Sequence, residues 1–195
     1  MEEKINKIFA DSIDKLKLSQ SKNSKVERVI ITKDFFDEDY RKLFKDNFKT
    51  DYLLNQINKI ANIKEPVLYW FEFDEAKTSK ETVRNKFIGY KDLCGKQYDH
   101  PAYRYTSSLK KINYEMKNIL YVGKVEKGFL QRIKTHLGYA TSNRTAGMQL
   151  QYWYDIENYG DLTLYYITFN DEMKYLITIL EKELAIHLNP LIGKY

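Results

Sequence analysis

The residues best suited to chemistry lie in two places. Between positions 121 and 136 the chain sets Tyr121, Gly123, Lys124, Arg132 and His136, and a later apolar run carries Glu181 and Glu183. Arg132 and His136 are four apart, so on a helix they stack on one face. At about 100° per residue, Phe129, Ile133, Leu137 and Ala140 form one apolar stripe, and Arg132 and His136 fall just beside it. A guanidinium at the rim of a core can hold a phosphate by two parallel hydrogen bonds and neutralise charge gathering in a transition state. A rim imidazole can donate to a phosphate oxygen or shuttle a proton near neutral pH. The plainer reading is an ordinary Arg/His pair on a surface helix, and this helix alone does not decide.

On the wheel of the later helix, Leu176, Ile179, Leu180, Leu184, Ile186 and Leu188 cover a broad arc, with Glu181 at its edge and Glu183 inside it. A carboxylate at a core edge is costly unless paired or bound to a metal. Mg²⁺ accepts one or two carboxylates and keeps several waters, so a single Glu suffices chemically. A solvent-facing Glu on a Lys/Glu-rich helix is the alternative. Two tyrosines add to the set, Tyr69 in one β-prone run and Tyr121 in the next. A strand Tyr is commonly a core residue with a satisfied hydroxyl. Lys124, close to Tyr121, could lower a phenol pKa by its charge.

The elements that position these residues can be traced along the chain. Residues 2–17 show helical spacing, and 19–25 form a polar break. A short strand is expected at 26–32, then helices over 37–48 and 50–63 with Asp37 and Thr50 as N-caps. This first third, 1–64, reads as a mainly helical extension. It could be a homodimer surface, a DNA-contacting arm or plain packing. "VLYWFEF" (67–73) and "NILYVGKV" (118–125) read as strands separated by a polar stretch, 74–117, that includes the aromatic-basic "YDHPAYRY". A helix follows from Phe129 to Leu137 with Gly138 as its C-cap. A helix over 145–160, a strand over 162–169 and a long helix over 171–190 complete the pattern. One small sheet with helices around it indicates an α+β fold or a compact α/β sandwich.

The bulk numbers narrow the function classes. Of the 195 residues, 43% are hydrophobic and 30% charged, a composition that supports a core. No apolar run approaches the roughly 18 residues of a membrane span, and the N-terminus has no secretory h-region. Cys94 is the sole cysteine, which removes internal disulfides and Cys-based zinc sites. A cytoplasmic location is the default expectation. From Arg104 to Arg144 nine Lys and Arg side chains meet only Glu115 and Glu126, a local surplus of +7 in a chain whose net charge is +5. That block fits a polyanion footprint, or a Lys-rich solvated surface.

Taken together, the pieces resemble the GIY-YIG nuclease family, in particular its restriction and homing endonucleases. "VLY" (67–69) stands where the first motif has Gly-Ile-Tyr, and "YVG" (121–123) stands for Tyr-Ile-Gly. "FLQRIKTH" looks like the family's Arg-x-x-x-His helix, "IENYGDLTLYYITF" is similar to its turn into the third strand, and "LEKELAIHLNP" resembles its Glu-bearing helix closed by proline. The likeness spans 65–193. It implies a three-stranded mixed or antiparallel sheet flanked by helices within 65–195, and 74–117 as an insertion in its first hairpin. It implies a DNA endonuclease, with RNA also admitted, using one Mg²⁺ or Mn²⁺ ion held by Glu181. Tyr69 would be the general base or orient water, Tyr121 would orient water or phosphate, Arg132 would stabilise the phosphorane-like charge, and His136 would assist proton traffic. Gly123, Lys124, Lys127, Lys134, Arg104 and Arg144 would contact substrate. Val67 stands in place of the first-motif glycine, and Gly193 lies near the position where the family often has Asn. The rival expectations are a catalytically inactive nucleic-acid-binding or protein-interaction module on the same fold, and a structural protein working through its N-terminal helices.

Overall fold

Four runs rich in Val, Ile, Leu and aromatic residues pair into one sheet, as side chains that favour a pleated, half-buried surface should. They are β1 (Glu27–Ile31), β2 (Val67–Phe73), β3 (Ile119–Val125) and β4 (Leu162–Thr168). The spatial order is β1-β4-β2-β3, and every pairing is antiparallel. The computed structural model describes residues 2–21, 25–36, 51–96, 106–109, 118–139 and 146–193. The expected helix over 37–48, and with it Arg104 and Arg144, lies outside them.

The class is α+β as expected, but the sheet has four strands rather than three. The extra strand is β1, paired from Glu27↔Tyr166 to Ile31↔Leu162. Val29 and Ile31 are buried in the main core with Phe35, Ile57 and Ile60, so segment 1–64 contributes to both sheet and core. The short strand is readable in the sequence. Its partner is not, because pairing to β4 spans most of the chain.

Helices are α1 (Glu2–Ser21), α2 (Asp51–Ala61), α3 (Lys80–Lys96), α4 (Phe129–Leu137), α5 (Ile156–Tyr159) and α6 (Ile177–Leu188). Side-chain alternation sends Val67, Tyr69, Phe71 and Phe73 of β2 to the larger core, where α2, α3 and α4 cover the sheet. Leu68 faces the other way and packs with Phe169, Met173 and Ile177 under α6. Helix α6 lies against β3 and β2, and α1 rests on the 3-10 turn Asp171–Met173.

Two helical expectations need correction. Over 146–160 the chain forms only the 3-10 turn Leu150–Tyr152 and the single-turn α5. Here side chains bond back to nearby backbone: Trp153 Nε1 donates to the Met148 carbonyl and the Tyr154 hydroxyl to the Gly160 carbonyl. The long C-terminal helix starts at Ile177, after the turn at 171–173, and ends at left-handed Asn189. Stretch 74–117 holds a helix, α3, that was not expected. Its buried residues Val83, Phe87, Tyr90 and Cys94 follow helical spacing, and Ser79 caps it by accepting from Thr82 N–H at 3.1 Å.

Candidate active site

Strand β3 is an edge of the sheet, and the candidate residues gather around that edge. The antiparallel register sets Tyr69 opposite Gly123 and Phe71 opposite Tyr121, with an irregularity between Phe71 and Glu72. Directly paired residues share a face, so Tyr69, Gly123 and Tyr121 lie on the α4 side. Leu68 pairs with Lys124 and packs under α6, which puts Lys124 on the opposite side. The long 74–117 stretch therefore leaves β2 and β3 as neighbours.

Helix α4 starts after left-handed Gly128 and stops at left-handed Gly138. It brings Arg132 and His136 down onto the two tyrosines. Tyr69 Oη and His136 Nε2 are 2.8 Å apart. Arg132 Nε–H donates to the same phenol oxygen at 3.1 Å, its NH2 group donates to Tyr121 Oη at 3.2 Å, and its NH1 group donates to the Ala146 carbonyl at 2.9 Å. All three nitrogens of the guanidinium are committed.

His136 is 0% exposed, so it sits in the core and not at its rim. Helix α4 buries a wider arc than its Phe129–Ile133–Leu137 stripe, because Tyr69, Phe71 and Tyr121 all present rings to His136. Burial, then the Arg132 charge, holds the imidazole well below its usual pKa. The ring is neutral, and its tautomer follows from its partners. Met148 N–H can only donate, and it points at Nδ1 from 3.3 Å. The proton is thus on Nε2, which donates to Tyr69. The Tyr69 oxygen receives two donors, from His136 and Arg132. Burial, seconded by Tyr121, nevertheless pushes the Tyr69 phenol far up, with Arg132 opposing. Burial also works against the Arg132 charge, but Tyr69 and Tyr121 outweigh it and raise that pKa.

Gly123 has a steric task. A Cβ there would lie 2.5 Å from Tyr121 Cε1 and 2.7 Å from Tyr69 Oη. The Tyr69 phenol occupies the space that any other residue would fill.

In front of Arg132 opens a pocket of about 500 Å³. Tyr121 and Arg132 reach it from the α4 side, and Val122, Lys124, Thr178 and Glu181 from the α6 side; Gly193, Ala146 and residues 106–108 complete it. Of the predicted catalytic set, Tyr121, Arg132 and Glu181 line the pocket. Tyr69 and His136 stand behind Arg132, both 0% exposed. Glu183 is exposed while Glu181 is half-buried, which separates two carboxylates the wheel left close. Lys127 is exposed on the turn after β3, and Lys134 lies on α4 with its pKa lowered by burial; neither lines the pocket.

Sequence reasoning missed two contributors. Segment 146–148 holds Arg132 through the Ala146 carbonyl and sets the His136 tautomer through Met148 N–H. Gly147 lies so close to α4 that a Cβ would sit 2.6 Å from the Thr135 carbonyl. Its Ala-Gly pair was the available signal. Residues 106–108 carried no signal beyond their hydroxyls. No protein-family model, curated protein or solved structure matches the chain.

Proposed function

We propose that this chain is a divalent-metal-dependent endonuclease of the GIY-YIG type that hydrolyses DNA phosphodiester bonds, in a restriction or defence setting. One observation carries the reading: Tyr69, Tyr121, Arg132 and His136 form a single hydrogen-bonded cluster, and its exposed end shares a pocket with Glu181. These five residues come from four separate elements and follow one another along the chain in the order the resemblance implies.

In this reading Arg132 presents a fixed positive charge to the scissile phosphate, held so that little reorganisation accompanies charge build-up. The Tyr121 hydroxyl orients the attacking water or the phosphate. Tyr69 and His136 act from behind, fixing the guanidinium and the phenol oxygen it bonds. Lys124 adds charge at the mouth. Among the described residues no three His, Cys, Asp or Glu side chains cluster. Glu181 lines the pocket, and one carboxylate with water and phosphate oxygens in the other positions is a donor set that Mg²⁺ or Mn²⁺ accepts, so Glu181 would hold the ion. Bound there, the ion would act as a Lewis acid on the phosphate oxygens.

The test is supercoiled plasmid incubated with wild-type, Arg132→Ala and Glu181→Ala proteins, with and without Mg²⁺ or Mn²⁺. Each variant should lose ~10²-fold or more in rate, the scale of one charge-stabilising group. Wild-type rates in both variants would refute the assignment. A second reading, a binding module without cleavage, draws on the full burial of Tyr69 and His136, which packing alone can explain. Salt-dependent DNA binding without metal-dependent cleavage would favour it.

A further inference from the structure

The pocket wall made by residues 106–108 has no part in the chemistry above, yet it is held firmly. Ser107 N–H donates to the Gly147 carbonyl at 3.2 Å, and Gly193 N–H donates to the Ser108 carbonyl at 2.9 Å. Lys91 Nζ, from α3, donates to the Ser107 carbonyl at 3.1 Å. Bridges Thr106↔Gly147 and Leu109↔Ile192 fix the two ends. The main chain of this segment is thereby tied to α3, to the 146–148 segment and to the C-terminal segment. Thr106, Ser107 and Ser108 all line the pocket, and none of their hydroxyls has a hydrogen-bond partner among the described residues. A backbone clamped on three sides, whose three hydroxyl-bearing residues line a pocket together with Arg132 and Lys124, is pre-organised for a ligand rich in acceptors.

We propose that Thr106, Ser107 and Ser108 form a ledge of neutral donors that binds the phosphodiester backbone of a nucleic-acid strand beside the scissile group. The inference rests on the nuclease reading of the pocket and adds a binding element from stretch 74–117. Arg132 and Lys124 supply charge from the opposite walls. A phosphodiester group has more lone pairs than two cations can satisfy, and hydroxyls serve the remainder without adding charge. The division of labour has a measurable signature. Cations release counterions from the strand, so their loss changes the salt dependence of binding. Hydroxyls release none, so their loss weakens binding equally at every salt concentration.

The experiment measures Kd for a fluorescent DNA duplex by anisotropy, without metal, over a series of NaCl concentrations. The proteins are wild type, Ser107→Ala/Ser108→Ala, Ser107→Thr/Ser108→Thr and Lys124→Ala. The Ala pair should bind ~10- to 100-fold more weakly, the scale of two ordinary hydrogen bonds, with an unchanged slope of log Kd against log salt. Lys124→Ala should lower that slope by about 1. The Thr pair, which keeps both hydroxyls, should recover most of the affinity. In steady-state cleavage the Ala pair should raise KM more than it lowers kcat. Thermal melts check folding, and if the Ala pair melts early, the exposed single variant Ser108→Ala carries the test. Wild-type Kd in the Ala variants, with a wild type that binds and cleaves, overturns the ledge alone. A changed salt slope in the Ala pair also overturns it. A wild type that neither binds nor cleaves overturns the nuclease reading and the ledge with it.

Discussion

Replacing Tyr69 by Phe removes one oxygen and tests the whole cluster. That oxygen accepts from His136 Nε2–H and from Arg132 Nε–H. His136 is completely buried, so its stranded Nε2–H has no water to turn to, and an unsatisfied buried donor costs about 1–3 kcal/mol. Arg132 is only half-buried and keeps Ala146 and Tyr121 as partners, so its loss adds about 0.5–1 kcal/mol. The expected destabilisation is therefore about 1.5–4 kcal/mol. For a chain of this size that lowers Tm by roughly 3–16 °C. Urea titration followed by circular dichroism measures it, provided the m-value stays constant. Adding His136→Leu to Tyr69→Phe removes the stranded partner, so the double variant should be more stable than the sum of the single losses predicts, by about 1–2 kcal/mol. A Tyr69→Phe protein within 0.5 kcal/mol of wild type, or strict additivity in the cycle, would show that the hydroxyl is not the buried acceptor described.

Other outcomes follow from the same contacts. Gly123→Ala places a methyl against Tyr121 and Tyr69, and should cost about 1–3 kcal/mol by overpacking while separating the phenol from Arg132; a neutral effect in the same urea assay would contradict the close approach. His136 is held neutral by burial and by Arg132, with the Tyr69 hydroxyl, the Met148 N–H and the Tyr121 ring also against it. Its folded pKa lies below the unfolded value of about 6.5, so the unfolded chain binds the proton first as pH falls. Stability should be intact above about pH 6.5 and decline below it, at up to about 1.4 kcal/mol per pH unit from this group; His136→Leu should flatten that slope. Glu183→Ala should cleave at the wild-type rate where Glu181→Ala does not, since only Glu181 lines the pocket. Arg132→Lys should fail to restore activity, because a single ammonium cannot reproduce a fork that bonds Tyr69, Tyr121 and Ala146 together.

Local periodicity made much of this structure readable. β2 and α4 begin and end where their patterns indicated, and left-handed Gly138 closes α4. Helix α6 was legible as an element but not in its rotation. The wheel put Ile179 and Ile186 in its apolar arc and Glu183 inside it, yet all three are exposed, while Glu181 at the arc's edge is half-buried and lines the pocket; so broad an arc does not fix which side is covered. The depth of His136 escaped for a related reason: burial at the edge of a stripe depends on what packs there, here three rings from two strands. Helix α3 was missed although Val83, Phe87, Tyr90 and Cys94 spell its period, because polar neighbours and Gly89 obscured it. The positions of 146–148 and 106–108 depend on contacts across long sequence separations, which no local pattern encodes.

The pairing of the C-terminal segment with β3 has a consequence for handling the molecule. Leu191 and Ile192 donate to the carbonyls of Ile119 and Leu120, so the outer rim of β3 there is already occupied. An open rim offers unpaired amides and carbonyls to any neighbouring chain and seeds association. Removing residues 191–193 would expose those carbonyls and strip the pocket of Gly193 in one stroke. Such a truncated protein would report on its tendency to precipitate before it reported on catalysis, and point substitutions are the cleaner instrument on this side of the sheet.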